Sequence, residues 1–167
     1  MRIKFHHALL AASAAAAVAV AAVVLTPAAN ADVSDKTLVN PVSGKCLNVT
    51  AGSSTEGTAV IIWSCHGGAD QRWTLTTNGE LRATLDGVTR CLDVHGDGSA
   101  DGTPVVIAPC QGRNTQRWII TAGRRIIGTA SGKCLDVSGA SITNGAAVLL
   151  RNCKTAGNNS QRWVAGG

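Results

Sequence analysis

Six cysteines stand in three pairs, Cys46 with Cys65, Cys91 with Cys110 and Cys134 with Cys153, each pair 19 positions apart. Such thiols can oxidise to disulfides, whereas metal capture asks for clustered Cys and His ligands that the chain lacks. Acid–base chemistry is thinly supplied. The glutamates are Glu56 and Glu80, and the histidines beyond residue 31 are His66 and His95, with no carboxylate pair or metal-spaced set among them. Glycoside hydrolysis needs paired carboxylates, and serine hydrolysis on an elbow needs Gly-x-Ser-x-Gly, which is absent. The expectation is a non-catalytic protein without cofactor or metal. What remains are four tryptophans, whose faces can cover apolar C–H surface and whose N–H can donate one hydrogen bond.

These residues are spaced by a larger repeat. Lys45-Cys46-Leu47-Asn48-Val49 returns as Arg90-Cys91-Leu92-Asp93-Val94 and as Lys133-Cys134-Leu135-Asp136-Val137. A Gly57-Thr58, Gly102-Thr103 or Gly145-Ala146 step follows, and each unit closes on Gln-Arg-Trp, at Gln71 to Trp73, Gln116 to Trp118 and Gln161 to Trp163. The closing tryptophans are 45 residues apart, so one unit is written three times, over about residues 37–77, 78–121 and 122–164. Within each unit the apolar runs, such as 59–63, 104–108 and 147–150, have strand length and are bounded by Gly, Asn and Ser. Asn78-Gly79 predicts a two-residue hairpin, and Gly123 is expected to turn the chain before Arg125. Four strands per unit, about a dozen in all, predict an all-β fold. Three units are too few for a propeller and suit a closed barrel capped by hairpins, with pseudo-threefold symmetry.

Residues 1–31 read differently. Arg2 and Lys4 precede an Ala/Val/Leu run over 8–25, and Ala29-Asn30-Ala31 offers a small-x-small cleavage site, the pattern of a secretory signal peptide. Cleavage after Ala31 leaves a domain at 32–167, extracellular and with no membrane span. Beyond residue 31 thirteen basic residues oppose ten acidic ones, a dispersed charge of +3 that excludes nucleic acid as an expected partner. In an exported chain the cysteines read as disulfides. Threefold symmetry leaves two pairings, within units or across them with Cys153 returning to Cys46; the first needs only local closure and is favoured. Each such bridge would stabilise by roughly 3 kcal/mol on the chain-entropy estimate.

The Cys-Leu-Asp-Val phrase, the Gly-Thr step, the second Cys and the Gln-x-Trp closure together resemble the ricin-type lectin domain, over about residues 37–164. The resemblance implies a β-trefoil, the disulfides 46–65, 91–110 and 134–153, and a glycan or polysaccharide as partner. The alternative is a protein-binding or inhibitory trefoil that has lost sugar recognition.

In that family a site combines an acidic residue two after the first Cys, an aromatic two before the second, and an amide before the Gln of Gln-x-Trp. The first unit supplies Asn48, Trp63 and Asp70, with Gln71 adjoining, so acid and amide are exchanged. The second unit retains Asp93 and Gln116 but has Ala108 and Thr115; the third retains Asp136 and Gln161 but has Arg151 and Ser160. Both lack the stacking face, and the first unit is the preferred site. Ile61, Val106 and Leu149 stand where the family often has a polar side chain. The third unit also has two extra residues between Cys153 and Trp163, which predicts a reshaped loop. Asn48-Val49-Thr50 and Asn158-Asn159-Ser160 match glycosylation acceptors.

Overall fold

β-Branched and leucine-rich runs punctuated by turn residues form strands rather than helices. The computed structural model describes residues 33–155, 157 and 159–166, so the expected leader and Asn158 lie outside the described residues. Twelve strands follow in order: β1 (Thr37–Asn40), β2 (Lys45–Val49), β3 (Val60–Ser64), β4 (Thr74–Leu75), β5 (Leu81–Leu85), β6 (Val88–Val94), β7 (Val105–Ala108), β8 (Trp118–Ile120), β9 (Ile126–Gly128), β10 (Cys134–Val137), β11 (Val148–Arg151) and β12 (Val164–Gly166). They make three four-stranded antiparallel sheets, β12-β1-β2-β3, β4-β5-β6-β7 and β8-β9-β10-β11. Each sheet takes its outer strand from the end of the preceding sequence unit. Sheets and units are therefore one strand out of phase, and β12 closes the circle on β1. Asn40 reinforces this closure, its Nδ2 donating to the carbonyls of Asn159 and Arg162 at 3.0 and 3.1 Å.

The hairpins of the three units meet through the repeated glycine step. Gly57 N–H donates to Ile107 O and Ile107 N–H to Thr58 O; Gly102 and Thr103 clasp Leu150, and Gly145 and Ala146 clasp Ile62, in the same way. All three glycines have φ between 81° and 89°, a backbone region open to glycine and strained for other residues. Their recurrence in the sequence records this cyclic handshake. The result is the threefold trefoil.

Trp73, Trp118 and Trp163 fill the core at 0–2% exposure. Each indole N–H donates to the carbonyl of the leucine after the first cysteine, Leu47, Leu92 and Leu135, at 3.0–3.1 Å. One polar atom per tryptophan thus enters the interior satisfied. The disulfides are 46–65, 91–110 and 134–153, with Cα–Cα distances of 5.0–5.1 Å.

Two turns differ from expectation. Thr76 N–H donates to Glu80 O, so Asn78-Gly79 lies in a three-residue loop with Gly79 at φ 84°. A Cβ on Gly79 would stand 3.2 Å from Trp118 O, so at this φ a larger residue is strained and crowded. In the third unit Arg124, not Gly123, takes the left-handed backbone, at φ 63°. Arg124→Gly should therefore raise stability by roughly 0.5 kcal/mol, the relief of left-handed strain less the entropy of glycine. A higher urea midpoint at unchanged slope is the expected readout.

Candidate functional site

Each Gln of Gln-Arg-Trp is fully buried and spends its amide internally. Gln71 Nε2 donates to Asn48 Oδ1 at 2.8 Å and to Ser64 O at 3.0 Å, while its Oε1 accepts from His66 N–H at 2.8 Å. Gln116 joins Asp93, Pro109 and Gln111 in the same manner, and Gln161 joins Asp136, Asn152 and Lys154. These glutamines are positioning residues. They tie the strand carrying residue 48, 93 or 136 to the chain around the second cysteine.

In the first unit Asn48, Trp63 and Asp70 line one cleft of about 390 Å³. Gln71 stands behind Asn48 rather than on the wall. Asn48 and Ile61 are cross-strand partners on β2 and β3 and share a face of that hairpin. Trp63 is 41% exposed, and no core tryptophan exceeds 2%. The ring is therefore available as a surface. Asp70 sits in a short 3-10 turn (Ala69–Gln71) with its carboxylate 3.6 Å from His66 Nε2, and His66 Nδ1 accepts from Gly68 N–H. Asn48 is only 3% exposed; its Nδ2 donates to Val49 O at 2.6 Å, and its second amide N–H has no acceptor among the described residues. An N–H donor, a carboxylate acceptor and an indole face thus border one space.

Sequence reasoning left His66 aside because it belongs to no metal set; its place directly after Cys65 and four before Asp70 was the available signal. Ala51 was also missed. It lines the cleft at φ 54°, where the other units have Gly96 and Gly139 at φ 60° and 61°. The wall thus carries a methyl group in a backbone region that disfavours one. A third contribution comes from a different unit. Asn144 Oδ1 accepts from Ser64 N–H at 2.9 Å, and a methyl placed on Gly145 would lie 4.0 Å from the Trp63 ring. The third unit therefore steadies the end of β3 that bears the indole. Between the second and third units Asp101 takes this role, accepting from Asn152 N–H and Lys133 Nζ. The Lys133 hydrogen bond holds its carboxyl below the usual range. Between the first and second units the contact is lost, because Pro109 has no N–H to offer Glu56.

Residues 35–163 match the ricin-type β-trefoil lectin domain. The chain belongs to that family. Among solved structures it resembles a designed threefold-symmetric protein, ThreeFoil, at 31% identity and a TM-score of 0.70, over 78% of this chain and 96% of that one. It resembles an exo-β-1,3-galactanase from Clostridium thermocellum at 27% identity and a TM-score of 0.70, over 81% of this chain and 30% of the enzyme. The C-half of an earthworm R-type lectin in complex with GalNAc shares the fold at 19% identity and a TM-score of 0.63, over 78% and 95% of the two chains.

Within this lectin family framework the other two units are built differently. Ala108, at the position of Trp63, is buried, and Arg113 bends into the second cleft to pair with the Asp93 carboxylate and approach Asp97 at 3.7 Å. Asp93 raises the guanidinium's pKa first by hydrogen bonding and then by charge. Asp93 itself also accepts from Gln116 and from Val94 N–H, so its oxygens are already engaged. Arg113→Ala should cost about 1–2 kcal/mol of stability, since it strips a buried carboxylate of its ionic partner. Denaturant titration would register this as a lower midpoint. In the third unit Asp136 is buried against Gln161 and the platform position is Arg151. The reshaped loop expected there includes residues 156 and 158, outside the described residues.

Proposed function

We propose that this protein is an exported, non-catalytic carbohydrate-binding protein whose working site is the first-unit cleft. The observation that carries the reading is the junction of the one indole outside the core with Asn48 and Asp70. The C–H face of a pyranose lies on Trp63, while a pair of neighbouring hydroxyls accepts from the free Asn48 N–H and donates to the Asp70 carboxylate. A hydrogen bond to a carboxylate is stronger than one to a neutral acceptor, so the exchange of acid and amide relative to the family pattern is compensated rather than disabling. Galactose-type sugars are the favoured class, supported by the galactanase and the GalNAc-bound lectin among the similar structures. Export is supported by the leader pattern and by three disulfides.

One shallow site binds weakly, and useful affinity comes from several copies engaging a polymer. A screen of soluble galactan, xylan and arabinan by affinity electrophoresis should show retardation by galactan. Asn48→Ala and Asp70→Ala should each weaken that binding about tenfold or more, the loss of a hydrogen bond to or from a polarised sugar hydroxyl. Undiminished affinity in both variants would remove the compensation argument. Silence across all polymers would remove the lectin reading and favour a protein partner.

A further inference from the structure

The three seams between units are not equivalent. Opposite the first cysteine of each unit stand Val39, Arg82 and Ile127. Each faces the outer strand donated by the preceding unit, giving the pairs Val39 with Val164, Ile127 with Ile119, and Arg82 with Thr74. One seam has therefore exchanged an apolar pair for a cation and a hydroxyl. The same seam carries an insertion: nine positions separate Arg82 from Cys91, against seven from Val39 to Cys46 and from Ile127 to Cys134. The added length extends the β5–β6 hairpin and sets Thr84 opposite Thr89, their hydroxyls 3.1 Å apart.

These changes surround a cleft of about 560 Å³ between the first and second units, lined by Arg72, Thr74, Arg82, Thr84 and Thr89 together with one carboxylate, that of Asp35. The donors here outnumber their partners. Arg82 Nη2 is held by Glu80, which is itself buried and off the cleft wall; its Nε is sealed from solvent without a hydrogen-bond partner among the described residues, and Nη1, on a side chain 40% exposed, is unspent among them and is the donor a ligand can reach. Arg72 spends Nε on Gly67 O and Nη1 on Asp35 O, leaving Nη2 unspent among the described residues. The Asp35 carboxylate is exposed and stands 4.0 Å from Arg72 Nη1, too far to satisfy it. Buried unpaired donors are costly, and guanidinium forks fit oxyanions.

We propose that this cleft is a second subsite, for the oxyanion of an acidic sugar residue, either a carboxylate or a sulfate ester. The proposal rests on the carbohydrate-binding reading above. The loop that separates the two clefts is a single short segment: Gly67 and Ala69 border this one, while His66 and Asp70 border the Trp63 cleft. One polysaccharide strand can cross both, a neutral ring on the indole and an acidic neighbour on the arginines.

The test compares polygalacturonate, a sulfated galactan and neutral galactan at one ionic strength, using the wild type, Glu80→Gln/Arg82→Gln and Trp63→Ala. The double variant keeps the net charge, so a general polyanion effect cannot mimic its result. Wild type should prefer one acidic polymer over neutral galactan, and the polymer preferred identifies carboxylate or sulfate as the group. The double variant should lose about tenfold in affinity for it, the scale of a charge-assisted hydrogen bond, with galactan binding unchanged. Trp63→Ala should lower galactan binding yet keep the acidic preference, so failure of the indole site and failure of this subsite are separate results. Absence of the preference in wild type, or its survival in the double variant, overturns the proposal. Thr84→Val/Thr89→Val, which leaves both arginines in place, covers misfolding of the double variant: it should lower the acidic preference about threefold or more, and retention of the full preference in this variant alone also overturns the proposal.

Discussion

Trp63→Ala should fold as the wild type does and lose most of its sugar binding. The ring is 41% exposed and belongs to no core cluster, so truncation opens no cavity. Its contribution to binding is the apolar area that a pyranose face covers on the indole, together with the polarised C–H contacts to the ring's negative face. These amount to about 2 kcal/mol, roughly thirtyfold in affinity. The thermal midpoint should move little, because large stability losses come from buried truncations rather than exposed ones. Titration calorimetry with galactan fragments, paired with a melting curve, measures both quantities. Binding within a factor of two of wild type would place the sugar elsewhere.

Gln71→Ala should damage both stability and binding, and Gln116→Ala stability alone. Each glutamine satisfies buried or half-buried groups on two segments, and deletion leaves a carbonyl, a side-chain oxygen and a backbone N–H, two of the last for Gln71, to find other partners. A loss of about 3 kcal/mol is expected for either variant, roughly 10 °C in melting temperature for a domain of this size. The difference lies in what each glutamine positions. Gln71 holds Asn48 from behind and fixes His66, so its loss lets the cleft wall drift and should weaken sugar binding about tenfold. Gln116 holds Asp93, whose oxygens are taken by Arg113 and Val94, and its removal should leave sugar affinity unchanged. Equal affinity losses in the two variants would mean that the second unit takes part in binding.

Much of the architecture was legible because the units carry it in cis. The cysteine spacing, the leucine after the first cysteine and the closing tryptophan all serve one unit's own core, so they recur at fixed period and mark strands, bridges and interior together. What joins one unit to the next left a fainter trace. The glycine step was visible as a repeat, yet its task of clasping the next unit's hairpin could not be read from a single unit. Asn144 lies 80 residues from the Ser64 it steadies, and no local pattern connects them. The three glutamines looked like candidate ligands because they adjoin the family's binding position; only the buried geometry separates positioning from contact. Turn chemistry failed where a cation tolerated left-handed backbone, at Arg124 beside the glycine that was expected to take it. The polar seam was hidden for another reason: Arg82 is unremarkable until register sets it opposite a cysteine, where the other two units have Val39 and Ile127.

The most direct test of the account is a titration of galactose-type oligosaccharide followed by the indole N–H resonances of the four tryptophans. Trp73, Trp118 and Trp163 donate to buried carbonyls and should hold their positions, whereas Trp63 should shift progressively to saturation, together with the backbone amides of 66–71. A saturating shift confined to the second or third unit, or binding that leaves the Trp63 resonance unmoved, would contradict it.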